Sequence, residues 1–122
     1  MKCVLIVEDD PHLRRVFRTL LENEGFEIHE AADGLTGLEK VRALRPRCVV
    51  TDTMMPRMDG MSMLSRMADE GLSAPVIVVS AVHELPDQDM LKRLGVVKVF
   101  GKPFPFDQLV EAVKRHSGGT GE

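Results

Sequence analysis

The sequence predicts an α/β fold, a parallel sheet covered by helices on both faces. Three observations predict it. Five short apolar runs alternate with five amphipathic stretches along 122 residues. Most of the runs are continuous and rich in β-branched residues, the pattern of strands buried on both faces. The amphipathic stretches carry their apolar residues at helical spacing, so each has a face to lay on a sheet. The length fits one domain of ordinary size, and right-handed crossovers are expected between parallel strands.

The first run is Cys3-Val4-Leu5-Ile6-Val7. Asp10-Pro11 follows as an N-cap and first helical residue, and Leu13, Val16, Phe17, Leu20 and Leu21 share one helical face up to Gly25. Phe26 to Ala31 alternates apolar and polar residues, which predicts a strand near a sheet edge. Asp33-Gly34 is a turn or cap, and Leu35, Leu38, Val41 and Leu44 mark a second helix that stops before Pro46. Cys48-Val49-Val50 is a third strand ending at Thr51-Asp52. A loop from Met54 to Gly60 leads to a third helix, roughly Met61 to Glu70. Pro75 to Val79 is a fourth strand ending at Ser80, and a fourth helix lies between Pro86 and Leu94. Val96 to Phe100 is a fifth strand, interrupted by Lys98. Phe106, Leu109, Val110 and Val113 mark a fifth helix. The folded unit is expected over residues 1–116, with a flexible glycine-rich tail over 117–122.

Composition removes several classes. Sixteen basic against nineteen acidic residues give a net charge of −3, which argues against direct nucleic-acid binding. No apolar run approaches a membrane span. The run from Met1 to Val7 leads straight into Glu8-Asp9-Asp10 rather than a signal cleavage site, so a cytoplasmic location is expected. Cys3 and Cys48 have no metal-ligand spacing and read as buried small apolar residues. There is no G-x-x-x-x-G-K-[ST] run, which excludes a P-loop.

Ligands of open parallel sheets bind beyond the carboxyl ends of the strands. The first strand ends in Glu8-Asp9-Asp10, the third in Asp52, the fourth in Ser80, and Gly101-Lys102-Pro103 follows the fifth. Asp10 is accounted for as a cap. If the first and third strands are neighbours, Glu8, Asp9 and Asp52 converge and require a cation. A hard divalent ion such as Mg2+ suits them. Lys102 adds a positive charge that can pair with a carboxylate or a phosphoryl group, and Ser80 a hydroxyl able to donate to a phosphoryl oxygen. Carboxylates form acyl-phosphate intermediates, and phosphoryl transfer mostly needs positioning and charge neutralisation. Asp52, alone between a buried strand and a loop, is the best acceptor, with Glu8 and Asp9 holding the metal. Each residue also has a commoner role as a turn, cap or loop residue; the functional reading rests on all of them falling at one sheet edge.

Four segments in order carry a resemblance: Val4-Leu5-Ile6-Val7-Glu8-Asp9-Asp10, then Val49-Val50-Thr51-Asp52-Thr53-Met54-Met55-Pro56-Arg57-Met58-Asp59-Gly60, then Pro75-Val76-Ile77-Val78-Val79-Ser80-Ala81, and Gly101-Lys102-Pro103-Phe104. From Met1 to about His116 the chain resembles the CheY-like receiver domain of two-component response regulators. The resemblance implies a flavodoxin-like, doubly wound sheet of order 2-1-3-4-5. It implies a signalling switch rather than a turnover enzyme, one that catalyses only its own phosphorylation and dephosphorylation. Asp52 would take a phosphoryl group from a phosphohistidine of a sensor histidine kinase or phosphotransfer protein, and the switch would then act on a downstream protein target. Asp9 would be a direct Mg2+ ligand and Glu8 a ligand through water, with the main-chain carbonyl of Met54 completing the set beside Asp52. Ser80 would be the switch hydroxyl, Lys102 the phosphoryl contact, and Lys102-Pro103 a cis peptide.

The sequence departs from the family at some positions. Val99 stands where an aromatic rotamer usually reports activation, Val96-Val97-Lys98 replaces small and acidic residues, and His83 and Pro86 alter the entry to the fourth helix. Met54 and Val82 are apolar beside the acceptor, which would hinder hydrolytic water. Met54, Met55, Met58, Met61, Met63 and Met67 read as gap-filling around the third helix, with an adaptable contact surface as the alternative. A haloacid dehalogenase-like phosphatase would need an acid at Met54 and is disfavoured. A phosphorylation-independent pseudo-receiver stays open through Val99. The chain reads equally as a stand-alone receiver or as part of a longer regulator.

Overall fold

The computed structural model describes residues 2–81 and 85–118. Val82, His83 and the last four residues of the expected tail lie outside them. The described chain runs β1 (Cys3–Val7), α1 (Pro11–Asn23), β2 (Glu27–Ala31), α2 (Gly34–Leu44), β3 (Cys48–Asp52), α3 (Gly60–Asp69), β4 (Val76–Ser80), α4 (Gln88–Arg93), β5 (Val96–Gly101) and α5 (Phe106–His116). The strands form one parallel sheet in the order β2-β1-β3-β4-β5. The three central strands are the continuous apolar runs. β2, with its alternating pattern, is an edge, as its sequence predicts.

Alternation along each strand divides the core into two layers. On one face Val4, Ile6, Val50, Ile77, Val79 and Phe100 pack against Phe17 and Leu21 of α1 and Leu109 and Val113 of α5. On the other, Leu5, Val7, Val49, Val76 and Val78 meet Leu38 and Val41 of α2 and Met63, Leu64 and Met67 of α3. Met55, Met58 and Met61 pack partly buried against this second layer, so most of the methionines fill gaps; Met54 does not, being 66% exposed.

Local capping follows the sequence. Asp10 accepts hydrogen bonds from the main-chain N–H groups of His12 (2.9 Å) and Leu13 (3.4 Å). Asp33 and Asp59 cap α2 and α3 through Thr36 N (2.8 Å) and Ser62 N (2.7 Å). The fourth helix is shorter than its sequence window, six residues capped by Asp87.

Some expectations are corrected. β5 runs unbroken through Lys98; its irregularity is at Val97, because Val76 pairs with Val96 and Ile77 with Lys98. Lys98 stays at the exposed edge, with Nζ over the Phe100 ring at 5.5 Å. Cys48 is fully buried and its thiol is pushed up to about 12, chiefly by burial, whereas Cys3 is only half-buried. Ser117, expected to begin the tail, is buried and its N–H bonds to the Val113 carbonyl (3.0 Å), closing α5. Among the described residues no helix is long and apolar enough to cross a membrane.

Candidate functional site

The carboxyl ends of β1, β3, β4 and β5 lie side by side. Glu8 follows β1, Asp52 closes β3, Ser80 closes β4 and Lys102 follows β5. Alternation continues Glu8 from Val4 and Ile6, and Asp52 from Val50, so both carboxylates leave the sheet on the α1/α5 face.

Lys102 joins the two. Its Nζ donates to Asp52 Oδ2 at 2.7 Å and to Glu8 Oε1 at 3.3 Å. Glu8 is 2% exposed and Asp52 7%. The second oxygen of each acid is also engaged. Asp52 Oδ1 accepts from the main-chain N–H of Thr53 (2.6 Å) and Met54 (3.3 Å), and Glu8 Oε2 accepts from Asp10 N (3.1 Å). Asp9, exposed, completes a group of three acids, each with an oxygen within 4.8 Å of the others'.

The electrostatics follow from this crowding. Burial is the largest influence on Glu8; with the Asp52 charge it outweighs the Asp10 hydrogen bond and Lys102, and the carboxyl is pushed up to about 7. Burial works against the charge of Lys102, but its hydrogen bond to Asp52 and the two carboxylate charges prevail and hold it above the usual lysine range. One ammonium thus serves two buried carboxylates with a third beside them. The donor set is all oxygen and carries excess negative charge, which fits a hard divalent cation.

The surrounding loops hold these groups in place. Gly60 lies against the end of β3: its N–H bonds to the Thr53 carbonyl (2.9 Å), and a Cβ there would overlap the Asp52 carbonyl oxygen. Arg14 Nη1 donates to the Glu8 carbonyl (2.7 Å), and the Lys102 N–H to the Ser80 carbonyl (2.8 Å). Lys102-Pro103 is cis. Just beyond it Phe104 packs against Phe17, Phe100 and Phe106, with ring centroids 5.9, 5.9 and 5.1 Å apart. Val99 packs half-buried on the α2/α3 face.

Glu8, Asp9, Asp52 and Lys102 therefore meet as the sequence reading expected, and Met54 contributes its N–H to Asp52. Ser80 ends on the same sheet edge, but its Oγ lies 2.6 Å from Thr53 Oγ1. Sequence reasoning gave Thr53 no role. Its signal was the β3–β4 register, which no single sequence displays: Asp52 pairs with Val79, so the next positions are Thr53 and Ser80.

Comparison with known proteins agrees with this fold. The family model for the response regulator receiver domain matches residues 4–114. The chain is 35% identical over 113 residues to sporulation initiation phosphotransferase F of Bacillus subtilis, covering 93% of this chain and 91% of that one. It is 37% identical over 122 residues to the transcriptional regulatory protein CseB of Streptomyces coelicolor, covering 95% of this chain but 52% of that longer protein. Among solved structures, response regulator TrrA of Thermotoga maritima in complex with Mg2+ and BeF superposes with a TM-score of 0.81 at 28% identity, covering 93% of this chain and 97% of that one.

Proposed function

The chain belongs to the response regulator receiver domain family, and from that premise we propose that Asp52 is its phosphoacceptor, in a Mg2+-dependent transfer from a histidine kinase or phosphotransfer protein. The observation that carries this is the convergence on Asp52: a lysine at 2.7 Å, two further acids, and two main-chain N–H groups at the mouth of a β-sheet edge.

An Asp52 carboxylate oxygen attacks the phosphorus of the donor phosphohistidine. The new P–O bond forms as the P–N bond breaks, and the electron pair stays with the departing imidazole. Glu8, Asp9, Asp52 and the Met54 main-chain carbonyl would hold Mg2+, which supplies positive charge against the acids and the phosphoryl oxygens. Lys102, already on Asp52 Oδ2, is placed to follow charge onto the phosphoryl group, and Ser80 is the hydroxyl that turns toward it. The output is a change of conformational population read by a protein target. This is self-modification, not turnover of a small substrate, and a kinase partner sets it in the cytoplasm. Residues 1–116 are the receiver unit in this reading. The complete set of acids, hydroxyl and lysine gives no support to a phosphorylation-independent module.

The test is intact mass after incubation with Mg2+ and acetyl phosphate. Wild type gains one phosphoryl group; Asp52→Asn, or wild type with chelator, gains none. Equal gain in Asp52→Asn would overturn the assignment.

A further inference from the structure

We propose that Thr53 is a positioning residue that holds the Ser80 hydroxyl on the far side of the sheet edge from the Asp52 carboxylate, so that switching must break a buried hydroxyl pair. The inference rests on the reading of Asp52 and Ser80 given above.

The geometry starts from register. Thr51 pairs with Val78 and Asp52 with Val79, and the next step brings Thr53 opposite Ser80. Side chains alternate, so Asp52 goes with Val79 to the α1/α5 face while Thr53 and Ser80 follow Val78 to the other. There the two oxygens are 2.6 Å apart, with Thr53 6% and Ser80 2% exposed. Among the described residues this is the hydrogen bond of the Thr53 hydroxyl.

A phosphoryl group on Asp52 must draw Ser80 across the strand end. The move strips the Thr53 hydroxyl of its partner in a site with little water access. A buried hydroxyl left unpaired carries a desolvation penalty that the phosphoryl contact has to exceed. Thr53 therefore biases the protein toward its resting state through Ser80, without touching the reacting atoms. Valine keeps the shape of threonine and removes the hydroxyl; serine keeps the hydroxyl.

The test is calorimetric titration with beryllofluoride, a phosphoryl mimic, in Mg2+. Thr53→Val is expected to bind about three- to tenfold more tightly than wild type, and Thr53→Ser within about twofold of wild type. In a Ser80→Ala background the Thr53→Val gain should vanish, because the two residues act as one unit. Thermal melts check folding; if Thr53→Val does not fold, Thr53→Ala is titrated in its place and held to the same expectation. Unchanged or weaker binding by the hydroxyl-free variant overturns the proposal, as does an equal gain in the Ser80→Ala background. Failure of wild type itself to bind beryllofluoride would instead remove the Asp52 reading on which the proposal rests.

Discussion

Glu8 is the residue where burial and charge conflict most openly. Its carboxyl is 2% exposed, beside Asp52, and is displaced from an ordinary value of 4.5 to about 7. A raised carboxyl means that, between those values, the folded protein keeps a proton that the unfolded chain has released. Stability from this group is therefore fully present at low pH and is lost as pH rises toward 7. In metal-free protein, urea melts at about pH 5 and about pH 7.5 should show stability falling across the window, with the fall reduced in Glu8→Gln, which mimics the protonated acid. Equal pH dependence in the two proteins would show that Glu8 is charged throughout. The same residue was legible in the sequence through its place after a continuous apolar strand. Lys102 was legible as a nearby positive charge from the strand ends, but its bond to Glu8 in particular was not, because 94 residues separate the pair.

At the scale of elements, the β3–α3 connection fastens the acceptor strand to the helix that follows it. Pro56 and Asp59 mark the loop in the sequence, and Asp59 caps α3 as such a residue should. What the sequence does not display is how closely the loop returns. Gly60 comes so near β3 that any side chain meets the Asp52 main chain rather than a movable side chain. Gly60→Ala should therefore cost about 3 kcal/mol by overpacking against backbone, and should slow acetyl-phosphate labelling because Asp52 moves with the strain. Chemical denaturation and mass-detected labelling rates check the two halves; a variant as stable as wild type would mean that α3 can slide. The unread features of other elements share this cause. The bulge at Val97 and the pairing of Thr53 with Ser80 depend on which residues of two strands stand opposite each other. Strand existence is written in hydrophobic runs, whereas register is settled by packing between segments far apart in the chain.

Across the whole molecule, the sheet concentrates negative charge at one edge while the rest of the surface is nearly balanced. The net charge is only −3, yet three acids share one pocket with a single lysine among the described residues. The fold holds this unfavourable arrangement because two apolar layers on either side of the sheet fix the strand ends. The strands were readable because buried parallel strands write themselves as continuous runs, whereas their order, β2-β1-β3-β4-β5, was given by the family resemblance alone. A pocket held in tension by the core should respond to a cation as a whole-molecule property. A ligand that binds only the folded state stabilises it by RT ln(1 + [L]/Kd), about 1.4 kcal/mol at a concentration ten times Kd. Thermal melts should then rise by about 5 °C with Mg2+ in wild type. Asp9 is exposed, so Asp9→Asn should change the metal-free stability little, within about 0.5 kcal/mol, while abolishing most of the Mg2+-dependent rise in melting temperature. A rise that survives in Asp9→Asn would move the cation away from the three acids, and with it the charge balance on which transfer to Asp52 depends.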